Sequence, residues 1–221
     1  MLALLHTSPV HVPVFDALRD EEAPDLTLHH LVRSELLDRA RTQGPDAALP
    51  DITAELAAAA RAGARAALCT CSTIGPPAES AGAALGLPVL RVDRPMAAAA
   101  VATGPRIAVL AALESTLAPT EALLAEEAAR AGRTVEVRTV LVPGAWERFE
   151  AGDHDGYLTA VAAAARDVRD ADVLVLAQAS MAGAAQRLRG GPPVLSSPRP
   201  GLRAAAHLVA SAPSLSGLRT M

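Results

Sequence analysis

Apolar runs and helix-patterned stretches alternate along the whole chain. Residues 1–7 (MLALLHT) form a continuous apolar run, the pattern of a strand buried on both faces of a parallel sheet. Further strands are predicted at 26–32 (LTLHHLV), 64–71 (ARAALCTC), 88–93 (PVLRVD), 106–113 (RIAVLAAL), 134–142 (TVEVRTVLV), 172–179 (DVLVLAQA) and 193–197 (PVLSS). Between them the apolar positions recur at helical spacing. Helices are predicted from about Val12 to Glu22, at 51–62, at 118–131 with Gly132 as the stop, at 155–170 and at 199–210. Residues 96–103 (MAAAAVAT) read as an Ala-rich helical piece. This alternation predicts an α/β fold with mostly parallel sheets flanked by helices.

Two halves of the chain match each other. ALCTCSTIGPPAES runs into LGLPVLRVDRP, and VLVLAQASMAGAAQ runs into GGPPVLSSPRP. Thr7 to Cys71 is 64 positions, and Ser115 to Gln178 is 63. MLALLHTS and RIAVLAALEST read as equivalent opening strands. The pattern predicts two pseudo-symmetric lobes. One comprises 1–95 plus the closing segment 199–221; the other comprises 96–198. Parallel sheets place ligands beyond the carboxyl ends of their strands. The active site is therefore expected in the cleft between the lobes. His6, Thr7 and Ser8, then Cys71, Ser72 and Thr73, would line it from one side. Glu114, Ser115 and Thr116, Gln178, Ala179 and Ser180, and Ser196 and Ser197 would line it from the other. Hydroxyls and backbone N–H groups at helix N-termini suit a small carboxylate.

Composition narrows the chemistry. Aromatic residues are only 2%, so the core is built of Ala, Leu and Val. The chain contains no Lys, which excludes Schiff-base attachment of pyridoxal phosphate. A net charge of −4 with few aromatics argues against nucleic-acid binding. No apolar run reaches the ~18–20 residues of a membrane span, and MLALLHTSP lacks the basic start of a signal peptide. The two cysteines, Cys69 and Cys71, lie too close in one strand for an easy disulfide. Free thiols point to a reducing, cytoplasmic setting. No His stands at ligand spacing from them, so no metal site is expected.

Cys71 is the main candidate for chemistry. It sits where a strand gives way to a helix, with Pro76 in the first turn and Ser72 or Thr73 as possible caps. A thiol at a helix N-terminus is expected to have its thiolate stabilised. It can then move a proton beside a carbonyl or add to an activated double bond. Cys69, two residues back in an apolar strand, reads as buried and inert. His6 at a strand end could act as a base or a carboxylate donor, or hold a loop. His29 and His30 fall on opposite faces of a strand, and His154 and His207 read as surface or helix positions. Asp93 and Arg94 could pair with each other or with the second half.

The loop CTCSTIG after a strand, together with the duplicated layout, resembles the aspartate/glutamate racemase superfamily. The resemblance spans almost the whole chain. It implies a cofactor-independent enzyme, often dimeric, acting on a small carboxylic or amino acid. Cys71-Ser72-Thr73 stands where the family carries Cys-Asn-Thr. LRVDRPMAAAAV, AVLAALESTLAPT and LAQASMAG resemble a racemase-like branch. Racemases of the family use two cysteines, one per half. Here Gln178 falls at the second position, and Ser180 follows it. The resemblance then implies catalysis by Cys71 with Gln178 and Ser180, and binding by His6, Thr7, Ser8, Ser72, Thr73, Ser115 and Thr116. Three readings remain open. One is a single-thiol isomerase, decarboxylase or lyase. The second is racemisation with another group in place of the second thiol. The third is a protein that only binds a small acid.

Overall fold

The computed structural model describes residues 1–211, so the last part of the closing segment, 212–221, lies outside the described residues. The first unit comprises β1 (Leu2–His6), α1 (His11–Glu22), β2 (Leu28–Val32), α2 (Ser34–Gln43), α3 (Leu49–Arg61), β3 (Ala66–Cys69), α4 (Gly75–Leu85) and β4 (Val89–Arg91). The second comprises α5 (Arg94–Thr103), β5 (Arg106–Ala111), α6 (Leu117–Arg130), β6 (Glu136–Leu141), α7 (Ala145–Glu150), α8 (His154–Asp167), β7 (Val173–Leu176) and β8 (Val194–Ser196). α9 (Pro198–Ser211) closes the described chain.

Each sheet has four parallel strands in the same relative order, β2-β1-β3-β4 and β6-β5-β7-β8. The architecture is the two-lobed α/β fold expected from the alternation. The period of two explains how each sheet is covered. Ala3, Leu5 and Ala67 face α3 and α4, whereas Leu2, Leu4 and Leu68 face α1 and α9. In the second sheet Ala108, Leu110 and Leu174 face α8, while Val109, Ala111 and Val175 face α5 and α6. α9 returns across the first sheet, where Leu202, Ala205 and Val209 join Leu4 and Phe15. Its Gly201 permits this approach: a Cβ there would lie 2.5 Å from the Val92 carbonyl oxygen.

Several local expectations change. α2 and α7 are additional helices. The chain after β7 winds as a 3-10 stretch, Ala179–Arg187. Asp93 pairs not with Arg94 but with the buried Arg91, at 3.0 and 2.8 Å. Arg94, the first residue of α5, bridges the two units. It bonds Glu127 of α6 at 2.7 Å and Glu79 of α4 at 2.6 Å, tying the lobes together. Among the described residues no helix is long and apolar enough to cross a membrane.

Candidate active site

The carboxyl ends of the two sheets meet around a cavity of about 190 Å³. From the first lobe it is lined by Thr7, Ser8, Thr70, Cys71, Ser72 and Thr73, and from the second by Thr116, Gln178, Ala179 and Ser180. Most expected residues therefore converge. His6, Ser115, Ser196 and Ser197 stand outside. Ser115 and Glu114 border a neighbouring depression with Arg41.

Cys71 lies two residues past the end of β3, partly exposed to the cavity, while Cys69 is buried in the strand. Burial pushes the Cys69 thiol up, and that thiol donates to the Cys71 carbonyl at 3.4 Å. Cys69 is therefore held as a protonated, inaccessible group.

The first turn of α4 differs from the expected anion seat. Gly75 donates to the Ser72 carbonyl and Ala78 to that of Ile74, while Pro76 and Pro77 have no N–H. No side chain caps the helix. Ser72 and Thr73 bridge the lobes instead. The Ser72 hydroxyl donates to the Ala177 carbonyl at 3.0 Å, and the Thr73 hydroxyl approaches Ser115 at 3.4 Å. Cys71, Ser72 and Thr73 of this loop line the cavity. The N–H groups of Cys71, Ser72, Thr73 and Ile74 make no hydrogen bond to other backbone groups among the described residues.

Gln178 lies two residues past the end of β7, across the cavity. The Ala112 N–H donates to its Oε1 at 2.6 Å. That bond orients the amide, because an N–H needs the oxygen end. The Gln178 NH₂ is left as the donating end. Ser180 shares a 2.8 Å hydrogen bond with Tyr157, supplying a partner that the sequence pattern did not reveal. Burial raises the Tyr157 phenol to about 12, with the Ser180 bond acting in the opposite sense.

His6 is fully buried behind the cavity wall. Its Nε2 lies 2.8 Å from His30 Nδ1, and its Nδ1 lies 2.8 Å from the Thr70 hydroxyl. His30 Nε2 in turn faces Asp16 at 3.3 Å. The Thr70 hydroxyl donates to the Leu5 carbonyl at 3.1 Å, so His6 Nδ1–H donates to Thr70 and His6 Nε2 accepts from His30 Nδ1–H. Burial, then the neighbouring His11 and His30, lower His6 to about 3. A neutral His6 thus positions Thr70, the residue before Cys71. The histidine that does line the cavity is His11, lowered to about 4 by burial. The mouth is formed by α2 and α7. There Arg41 approaches Glu150 at 3.8 Å and lies 6.0 Å from the Trp146 ring centre. Among the described residues no cluster of His, Cys, Asp and Glu could hold a metal ion.

Comparison with known proteins bears on the fold and the family. No curated protein matches the chain by sequence. Among solved structures, a glutamate racemase from Bacillus anthracis is 17% identical with a TM-score of 0.68, covering 95% of this chain and 81% of its own. An allantoin racemase from Pseudomonas fluorescens is 19% identical with a TM-score of 0.56, covering 99% and 95%. An arylmalonate decarboxylase is 17% identical with a TM-score of 0.52, covering 96% and 94%. These likenesses establish the fold. The Asp/Glu/hydantoin racemase family model matches residues 11–215, nearly the full length, and the chain belongs to that family.

Proposed function

We propose that the chain is a cofactor-independent isomerase-type enzyme of the cytoplasm, acting on a small carboxylic or amino acid through the single thiol of Cys71. The observation that carries this reading is the pairing across the cavity. A partly exposed thiol stands on one lobe, and an amide and a hydroxyl stand at the matching place on the other. The carboxylate lies against the loop N–H groups of 71–74, with Thr7 and Ser8 beside it. As thiolate, Cys71 takes the proton from the α-carbon, and the C–H electrons pass into the carboxylate as an enolate. The Gln178 NH₂ donates to that developing charge. The proton then returns from the thiol. With a base on one face only, return from the same face exchanges the proton with solvent without inversion. Inversion requires the Ser180–Tyr157 pair to serve the opposite face.

Decarboxylation is the second reading, because Gln178 offers no base. There the C–C bond breaks, carbon dioxide leaves, and its electrons remain on the α-carbon. Cys71 then supplies the proton on its own face, and water reprotonates the thiolate. A panel of carboxylic and amino acids incubated in D₂O with wild type and Cys71→Ala separates these routes. Deuterium at the α-carbon with loss of optical purity identifies racemisation. Carbon dioxide release identifies decarboxylation. Turnover that survives unchanged in Cys71→Ala overturns the thiol mechanism, and absence of turnover with retained acid binding leaves a binding protein.

A further inference from the structure

The chain holds only one Trp, one Tyr and two Phe, and three of these four cluster beside the cavity. Trp146 and Phe149, both on α7, line it, stacked with ring centres 5.1 Å apart. Phe149 packs on Tyr157 at 5.4 Å, and Tyr157 carries the bond to Ser180. Two of the four rings thus line the cavity, with Tyr157 buried behind them. Leu37 extends this wall from α2.

The charges at the same wall point the same way. Asp38, Arg41 and Glu150 line the cavity, so one cation stands against two carboxylates. Arg41 already has Glu150 at 3.8 Å and the Trp146 ring beneath it. A second carboxylate on a ligand would compete with Glu150 for that cation and meet Asp38. An uncharged ring meets neither cost and stacks on Trp146 and Phe149. The volume is sufficient. An apolar cavity of roughly 150 Å³ holds benzene, and this one is about 190 Å³.

We propose that Trp146, Phe149 and Leu37 seat the side group of the substrate, which is a carboxylic acid bearing an aromatic or similarly flat apolar group near its α-carbon rather than a dicarboxylic amino acid. This rests on the reading of the 71–74 loop as a carboxylate site. Trp146 is the only Trp of the chain, so its fluorescence reports binding at this wall directly. The experiment titrates phenylacetate, mandelate, acetate, aspartate and glutamate at fixed ionic strength. It follows Trp146 emission and the rate at which iodoacetamide modifies Cys71. The aryl acids are expected to bind about ten-fold or more tightly than aspartate and glutamate and to slow alkylation of Cys71. Phe149→Ala is expected to remove up to about ten-fold of that preference while leaving acetate protection unchanged. Aspartate or glutamate binding as tightly as the aryl acids overturns the proposal, as does an emission change without protection of Cys71. Protection by acetate with no gain from the ring overturns the aromatic seat and leaves the carboxylate site standing. If no acid protects Cys71, the carboxylate reading falls and the proposal with it.

Discussion

Cys71 and Gln178 occupy the same place in their lobes, two residues beyond β3 and β7, but their surroundings divide the work. The first loop ends in a thiol with backbone donors around it, backed by a buried histidine chain. The second ends in an amide already oriented by Ala112 and a hydroxyl tied to Tyr157. In the proposed reaction one lobe moves the proton and the other holds the charge. The last strands diverge as well. β4 leads into the buried Arg91–Asp93 pair, whereas β8 leads into Ser197, whose buried hydroxyl has no hydrogen-bond partner among the described residues. The two sheets share one strand order and differ at their strand ends.

The largest effect expected from breaking this asymmetry is at the thiol. Cys71→Ala should lower kcat by roughly 10²–10⁴-fold, measured on the acid turned over best, with an unchanged circular dichroism spectrum. Arg91→Met should destabilise the protein by about 3–5 kcal/mol, because it strands the Asp93 carboxylate in the core. Ser197→Ala, at the matching strand end of the other lobe, should be neutral or slightly stabilising because its hydroxyl is unpaired among the described residues. Urea titration of both variants checks the contrast. Gln178→Ala should cost on the order of 10²-fold in kcat/KM if its NH₂ meets developing charge.

Acid should act on the first lobe selectively. His6 and His11 are depressed from 6.5 to about 3 and about 4, so both remain neutral in the fold. Above pH 6.5 neither state binds these protons, and stability is unaffected. Below it the unfolded chain binds them and the native state does not, so stability falls as pH drops. The urea midpoint should begin to fall between pH 6.5 and about 5, before the carboxylates titrate, with a total loss on the order of a few kcal/mol. His11→Gln should flatten that slope. A smaller effect on turnover is expected from Tyr157→Phe. It leaves Ser180 without its partner and should lower kcat/KM by up to about ten-fold.

The alternation of elements, the order of the lobes and the convergence of the Cys71 and Gln178 loops were legible in the sequence, because each follows from apolar periodicity and strand ends. The walls of the cavity were not. α2 (SELLDRARTQ) is mostly polar with few apolar residues, and α7 is only six residues long, so neither stands out as an apolar stretch. Arg41 meets Trp146 and Glu150 only because the lobes face each other, a contact spanning more than a hundred residues. His6 ends its strand as expected but is turned into a buried network by Thr70 and His30, which lie 64 and 24 positions away. Ser72 and Thr73 read as helix caps because of their position. Two prolines leave α4 little to cap, and their hydroxyls cross to the other lobe.

The most direct test of a single-thiol site is to titrate the protein with limiting iodoacetamide, map modification at each cysteine by peptide mass, and follow residual turnover. The thiolate is the reacting form. Turnover should fall in proportion to modification of Cys71 and reach zero while Cys69 remains untouched. Activity that persists with Cys71 fully modified, or that is lost in step with Cys69, would contradict the account.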